Sequence, residues 1–143
     1  MPALSKQINF VIQLTTGTNI TTSTSVAIPS AADAPGGGNI FNSIKEKGDG
    51  YFGSADGLHT VTYTVTPQFI GTLTMQASLA TEPTEADWFN VKDTEVTYIQ
   101  PNVPASTTTN YVNFVGNFVW VRAKVHRSDE QTNGSVLFIN YNH

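Results

Sequence analysis

The sequence predicts an all-β protein, an antiparallel β-sandwich of jelly-roll type with about eight strands. Three observations predict it. Apolar and polar residues alternate with period two in segment after segment, the pattern of strands covered on one face. Helical spacing is almost absent, so no crossover helices exist to build a parallel sheet. Glycine, proline and asparagine punctuate the alternating runs at regular distances, as turns do.

Taken in order, "QINFVIQL" sets Ile8, Phe10, Ile12 and Leu14 on one side, and "SVAIP" is a short second segment ending at Pro29. Residues 30–57 then break the rhythm with glycine, alanine, proline and aspartate. Pro35 to Gly38 are loop. Ile40, Phe41 and Ile44 form one helical turn before Lys45 and Lys47, or the segment is an extended arm whose Phe41, Tyr51 and Phe52 seek a pocket. In "LHTVTYTV" the residues Val61, Tyr63 and Val65 share a face, with Thr60, Thr62 and Thr64 opposite. After the Pro67–Gly71 turn, Leu73, Met75, Ala77 and Leu79 take over. Threonine suits the solvent side of such strands because its restricted rotamer fits the pleat. The two runs read as a hairpin-like pair. "EVTYIQ" and "YVNFV" are shorter strands, "NFVWVRAKVH" is the longest, and "SVLFINY" is the last. Asn133-Gly134 between the final two supplies the positive φ of a tight return, which predicts an antiparallel hairpin.

The 143 residues make one domain, 1–143, large enough to bury a core unaided. Within it, 1–55 holds N-terminal strands and an interlocking arm, and 56–143 holds the core sandwich. Cysteine is absent, so neither disulfides nor thiolate metal sites hold it. A net charge of −4 lacks the cationic footprint of a nucleic-acid binder. "MPALSKQINFVIQL" is a poor signal peptide and no run is long enough to span a membrane, so a soluble protein made in the cytoplasm is expected. Only 13% of residues are charged, with threonine, serine and asparagine in their place. Such a surface is wetted through hydroxyls and amides, or it faces neighbours.

No constellation for catalysis appears, and no cofactor or metal is expected. His59, His126 and His143 share no ligand spacing and read as surface histidines. Glu82, Glu85 and Asp87 fall within one loop, unlike the opposed carboxylates of a glycosidase, and read as a solvated acidic turn. Trp88 beside them is core or a platform for a sugar ring. Asp49 and Asp56 lack the alternating oxygens of a calcium loop and read as turn formers. Neither a nucleophile elbow nor a phosphate loop is present. In the closing ribbon, Phe118, Trp120, Arg122 and Lys124 lie opposite Val119, Val121, Ala123 and Val125, while Leu137, Ile139 and Tyr141 lie opposite Val136 and Phe138. Both faces therefore carry large apolar groups. Either the N-terminal segment covers the second face, or a neighbouring subunit does, with Trp120 and Arg122 as an anchor. The candidate interface residues are Phe41, Tyr51, Phe52, Trp120, Arg122, Leu137, Ile139 and Tyr141.

The run "GTLTMQASLATEPTEADWFNV", followed by "NFVGNFVWVRAKV" and "GSVLFINYN", resembles small β-sandwich virion structural proteins of tailed bacteriophages, especially contractile-tailed phages of marine cyanobacteria. The likeness runs from Asp56 to Asn142 and rests on strand pattern with Trp88 and Trp120-Val121-Arg122. Related modules resemble discoidin or carbohydrate-binding domains. The resemblance implies a non-enzymatic particle subunit made in host cytoplasm and located in the virion, bound to copies of itself and to other virion proteins. It implies a tail, baseplate or fibre position, with capsid decoration as the alternative and a carbohydrate-binding module touching host glycans as a further one. Neither nucleic acid nor membrane is implied as a partner.

Overall fold

The computed structural model describes residues 5–53, 57–128 and 134–142. Two antiparallel sheets face each other. The smaller has the order β1-β12-β6-β10, from β1 (Ser5–Gln7), β12 (Val136–Asn142), β6 (Leu58–Val65) and β10 (Thr108–Val115). The larger is centred on β11 (Trp120–Arg127) paired with β7 (Gly71–Ser78). Two short strands, β4 (Ile40–Asn42) and β5 (Glu46–Lys47), flank β11, while β8 (Phe89–Asn90) and β9 (Val96–Tyr98) flank β7. The expected β-sandwich is thus the observed architecture. A separate hairpin, β2 (Phe10–Thr16) with β3 (Asn19–Ser25), turns at Gly17-Thr18, where Gly17 supplies the positive φ of 61°.

The core forms where the inward halves of the alternating strands meet. Val61, Tyr63, Val65, Val136, Ile139 and Tyr141 come from one sheet, and Leu73, Met75, Ala77, Val121, Ala123 and Val125 from the other, all fully buried. Each such side chain removed from water contributes about 1.5–3 kcal/mol for the larger ones. The Tyr63 hydroxyl crosses the interior and donates to the Thr94 carbonyl at 2.9 Å. Thr94, itself buried, accepts from the Met75 N–H at 3.1 Å and donates to the Val91 carbonyl at 2.7 Å. One polar pin thereby ties the smaller sheet to the edge of the larger.

Both hairpins expected from the sequence are instead crossings between sheets. β6 and β7 lie in opposite sheets, as do β11 and β12. Alternation fixes which side of a strand is buried but not which strand lies beside it. The apolar faces of each pair meet across the core rather than side by side. Asn133, expected to turn the last return, lies outside the described residues. β12 also carries a bulge: Val136 opposes Val65 and Phe138 opposes Thr64, so Leu137 is an extra residue. The bulge turns Ile139 and Tyr141 inward with Val136, which leaves only Leu137 and Phe138 as apolar groups on the second face of this strand.

The N-terminal third is built into the sandwich rather than extended as an arm. Ile8, Phe10, Ile12, Ile28 and Phe41 are buried in the same core. The Ile8 N–H donates to the Ile139 carbonyl at 2.8 Å, and the Ile44 N–H to the Asn9 carbonyl at 2.9 Å, so this segment closes the gap between the sheets on one side. Residues 40–43 are strand and bridge, not a helical turn; in this segment the helical turn is α1 (Asp49–Phe52). Arg127, buried at the end of β11, donates to Asn39 Oδ1 at 2.8 Å, to the Ser30 carbonyl at 3.2 Å and to Asp33 Oδ1 at 3.3 Å. It holds the loop in which Gly36, Gly37 and Gly38 all take positive φ. His59, expected at the surface, is buried and stacked 4.6 Å from Phe114 and 5.8 Å from Tyr141.

Burial pushes the Tyr63 phenol well up, and burial aided by Asp49 and Glu46 does the same for Tyr141. Folding therefore favours the neutral phenols. Their contribution is complete below the ordinary value of ~10 and is lost as pH rises beyond it. Urea midpoints should fall steeply above that pH, and less so in Tyr141→Phe. Tyr63→Phe should cost about 1–3 kcal/mol already at neutral pH, because the Thr94 carbonyl loses its donor.

Candidate functional site

The outer face of the larger sheet gathers aromatic and basic side chains from four separate stretches. With Val121, Ala123 and Val125 inward, β11 must present Trp120, Arg122, Lys124 and His126 outward. Register sets Lys47 and Ser78 on either side of Trp120, and Gln76 beside Arg122. The chain leaving β7 turns back over this face. Its one-turn helix Glu85–Asp87 is fixed because the Thr84 N–H and hydroxyl both donate to Asp87 Oδ2, at 2.7 and 3.0 Å.

Arg122 is the centre of this arrangement. Its guanidinium donates to Glu85 Oε1 at 3.2 Å and Oε2 at 3.1 Å, a two-pronged ion pair, and its Nε donates to Gln76 Oε1 at 2.8 Å. Gln76 in turn donates to Asn90 Oδ1 at 3.0 Å. The Trp88 ring lies against the guanidinium, 4.4 Å from centroid to carbon. Two residues along the strand, Trp120 Nε1 donates to the Thr81 carbonyl at 2.9 Å. Both indoles are half-buried, each pinned on one side and open on another. Trp88 is therefore neither core nor fully free.

A second aromatic group adjoins Trp120. Tyr51 lies 5.1 Å from it, Phe52 meets Tyr51 edge-on at 5.4 Å, and both are exposed. α1 presents them because Gly48 and Gly50 donate to the Val119 and Phe118 carbonyls, both at 2.9 Å. A side chain at Gly50 would run into the Asn117 carbonyl oxygen, so only glycine permits this approach. Lys45 sits over Trp120 at 4.9 Å and Lys47 over Tyr51 at 4.6 Å. Lys45, Lys47, Arg122 and Lys124 are four of the seven basic residues, on one face of a net acidic chain. Among the described residues only Arg122 of these four has a carboxylate partner.

The sequence-expected interface residues thus divide. Tyr51, Phe52, Trp120 and Arg122 converge on this platform, although Arg122 is itself largely covered. Phe41, Ile139 and Tyr141 belong to the core, at 1%, 0% and 0% exposure, so they offer nothing to a partner. Leu137 is half-buried at the β12 bulge on the other sheet. The sequence pattern does not mark Lys45, Lys47, Gln76 and Asn90 as site residues, though Lys-Glu-Lys at 45–47 alternates as an outward pair does. Among the described residues, no group of three or more His, Asp or Glu side chains is placed to hold a metal ion. Adjoining the platform at Asn90, a groove of about 510 Å³ opens between β8 and β10, with Phe89 and Phe118 in its wall.

No protein-family model matches the sequence, and no curated protein matches it. Solved structures that resemble the chain include the C-terminal CBM6 of a marine laminarinase from Zobellia galactanivorans, at 9% identity and TM-score 0.48, covering 97% of this chain and 99% of that one. The carbohydrate-binding module CBM6cm-2 of Cellvibrio mixtus lichenase 5A, solved with cellotriose, is 14% identical with TM-score 0.40, over 98% and 87%. The K1 cleaved adhesin domain of Porphyromonas gingivalis Lys-gingipain is 10% identical with TM-score 0.45, over 72% and 62%. At such identities and scores, neither ligand nor role carries over to this chain.

Arg122 holds the Glu85 carboxyl below its ordinary range, chiefly through the hydrogen bonds and further through its charge. The pair's contribution is therefore present above that ordinary range and fades as pH falls through the lowered value. Glu85 is 79% exposed, so Glu85→Gln should cost no more than about 1 kcal/mol. Arg122→Ala should cost about 2 kcal/mol or more, because Gln76 and Trp88 lose their partner together. Chemical denaturation of the two variants at neutral and acidic pH checks both the ranking and the sign.

Proposed function

We propose that this chain is a non-catalytic binding domain whose ligand is a carbohydrate, and that the Trp88–Trp120 face receives it. The observation that carries the reading is the company these indoles keep. Two half-open rings stand on either side of a guanidinium, a carboxylate and two amides held in fixed orientation. A sugar ring offers an apolar C–H face, which stacks on an indole, and adjacent hydroxyls, which planar amide and carboxylate groups bond in pairs. Three lysines that have no carboxylate partner among the described residues favour an acidic sugar, one bearing carboxylates or sulfates.

The test is a tryptophan-fluorescence titration of the intact chain with acidic and neutral polysaccharides. Acidic polymers should bind, and added salt should weaken them. Trp88→Ala and the pair Lys45→Ala, Lys47→Ala should each lower affinity about tenfold or more, with circular dichroism unchanged. Phe89→Ala, in the groove wall, should leave binding intact. If no polysaccharide perturbs either indole, or if only Phe89→Ala abolishes binding, this reading of the face fails.

A second reading makes the domain a structural subunit of a tailed-bacteriophage particle, at the tail, baseplate or fibre or as a head decoration. The resemblance stated above supports it, as does the outer face of the smaller sheet, where Thr60, Thr62, Tyr111, Asn113, Asn140 and Asn142 stand without a single charge. A glycan site on a virion would satisfy both readings. Mass-spectrometric counting of this chain in purified heads and tails should find a fixed copy number in one of them; its absence from both removes the particle role.

A further inference from the structure

β3 is a free edge, and its sequence leaves it undefended. Asn19 to Thr24 are all exposed, and among the described residues only β2 pairs with the strand. Natural edge strands carry lysine, proline, a bulge or a covering loop, because unpaired N–H and C=O groups invite another strand. "NITTSTS" contains none of the residues that prevent this, and its seven pairs with β2 run without a bulge. Four of those seven residues are β-branched, and Ile20 stands 63% exposed.

The register shows which groups point outward. Gln13, opposite Thr22, exchanges both backbone hydrogen bonds with Asp33 at 2.8 Å on the far side of β2. Residues opposite one another in an antiparallel pair either both bond inward or both turn away. Thr22 therefore aims its N–H and C=O away from β2, and Ile20 and Thr24 do the same.

We propose that β3 pairs antiparallel with β3 of a second copy of this chain, about a two-fold axis through Thr22. That register places Thr22 opposite Thr22, and Ile20 opposite Thr24 in both halves. Each of the three pairs exchanges two backbone hydrogen bonds, and β2-β3 becomes half of a continuous four-stranded sheet. Self-pairing brings no like charges together, since the strand has none. The Thr22 hydroxyls would meet as threonines already do across strands within this chain: Thr64 with Thr109 at 2.8 Å, and Thr72 with Thr97 at 3.1 Å. Ile20 gains the methyl of Thr24 as cover. The interface is independent of the carbohydrate reading, because no residue of β3 belongs to that face.

Sedimentation of the full chain over a wide concentration range tests it. The wild type should be a dimer in reversible equilibrium with monomer. Thr22→Pro removes an outward N–H without touching a bond to β2, and should weaken the dimer about tenfold or more while leaving the melting temperature of the dilute protein unchanged. The double variants Ile20→Lys, Thr24→Lys and Ile20→Glu, Thr24→Glu should each be monomeric, and mixing them should restore a dimer of one of each. A wild type that stays monomeric throughout overturns the proposal. So does a Thr22→Pro protein that dimerises as the wild type does, or a mixture of the charged variants that fails to associate.

Discussion

Everything in this molecule follows from four strands whose buried halves can only be satisfied by one another. β6 and β12 on one side, and β7 and β11 on the other, bring branched and aromatic side chains to a shared interior that no helix could have covered. Their order in the chain sends β6 and β7, and likewise β11 and β12, to opposite sheets. Tyr63 then adds what apolar contact lacks, a directional link through Thr94 that fixes how the layers sit. The outward halves of the same strands are freed for other work, and on β11 that work is the presentation of Trp120, Arg122 and Lys124.

Much of this was legible in the sequence, and the illegible parts share a cause. Alternation named the inward residues of β6, β7 and β11 correctly, since period two is a property of a single strand. It could not name their neighbours, because partner choice depends on connections through space. β3 escaped notice because "NITTSTS" has one apolar residue and so no contrast from which a period can be read. Ile139 and Tyr141 were assigned to the wrong face because a bulge shifts the phase by one and leaves no mark in composition. In the sequence the segment before Asp56 reads as a helical turn or an extended arm, because its glycines and alanines hide how fully Ile28, Ala32 and Phe41 are enclosed.

The platform was half visible. Tyr51, Phe52, Trp120 and Arg122 stood out as large or charged groups in unusual places, and their convergence is what the fold contributes. Trp88 is separated from Arg122 by more than thirty residues, and only the return of the chain over β7 brings ring and guanidinium together. Low overall charge gives no sign that four of the seven basic residues lie near one another. Net charge describes solubility and long-range attraction, but the arrangement of a few lysines decides what a face can hold.

The bulge in β12 has a consequence for how this strand tolerates changes in length. Leu137 is surplus to the ladder: Val136 and Phe138 already oppose consecutive residues of β6. Excising that one codon would leave a strand of ordinary pleat with Val136, Ile139 and Tyr141 still looking into the core. Loss of Phe138 would be absorbed in the same way, with Leu137 taking its place opposite Thr64, whereas loss of Asn140 would turn Ile139 or Tyr141 outward. In this part of the chain, the place that looks like an irregularity is the place where the fold can spare a residue.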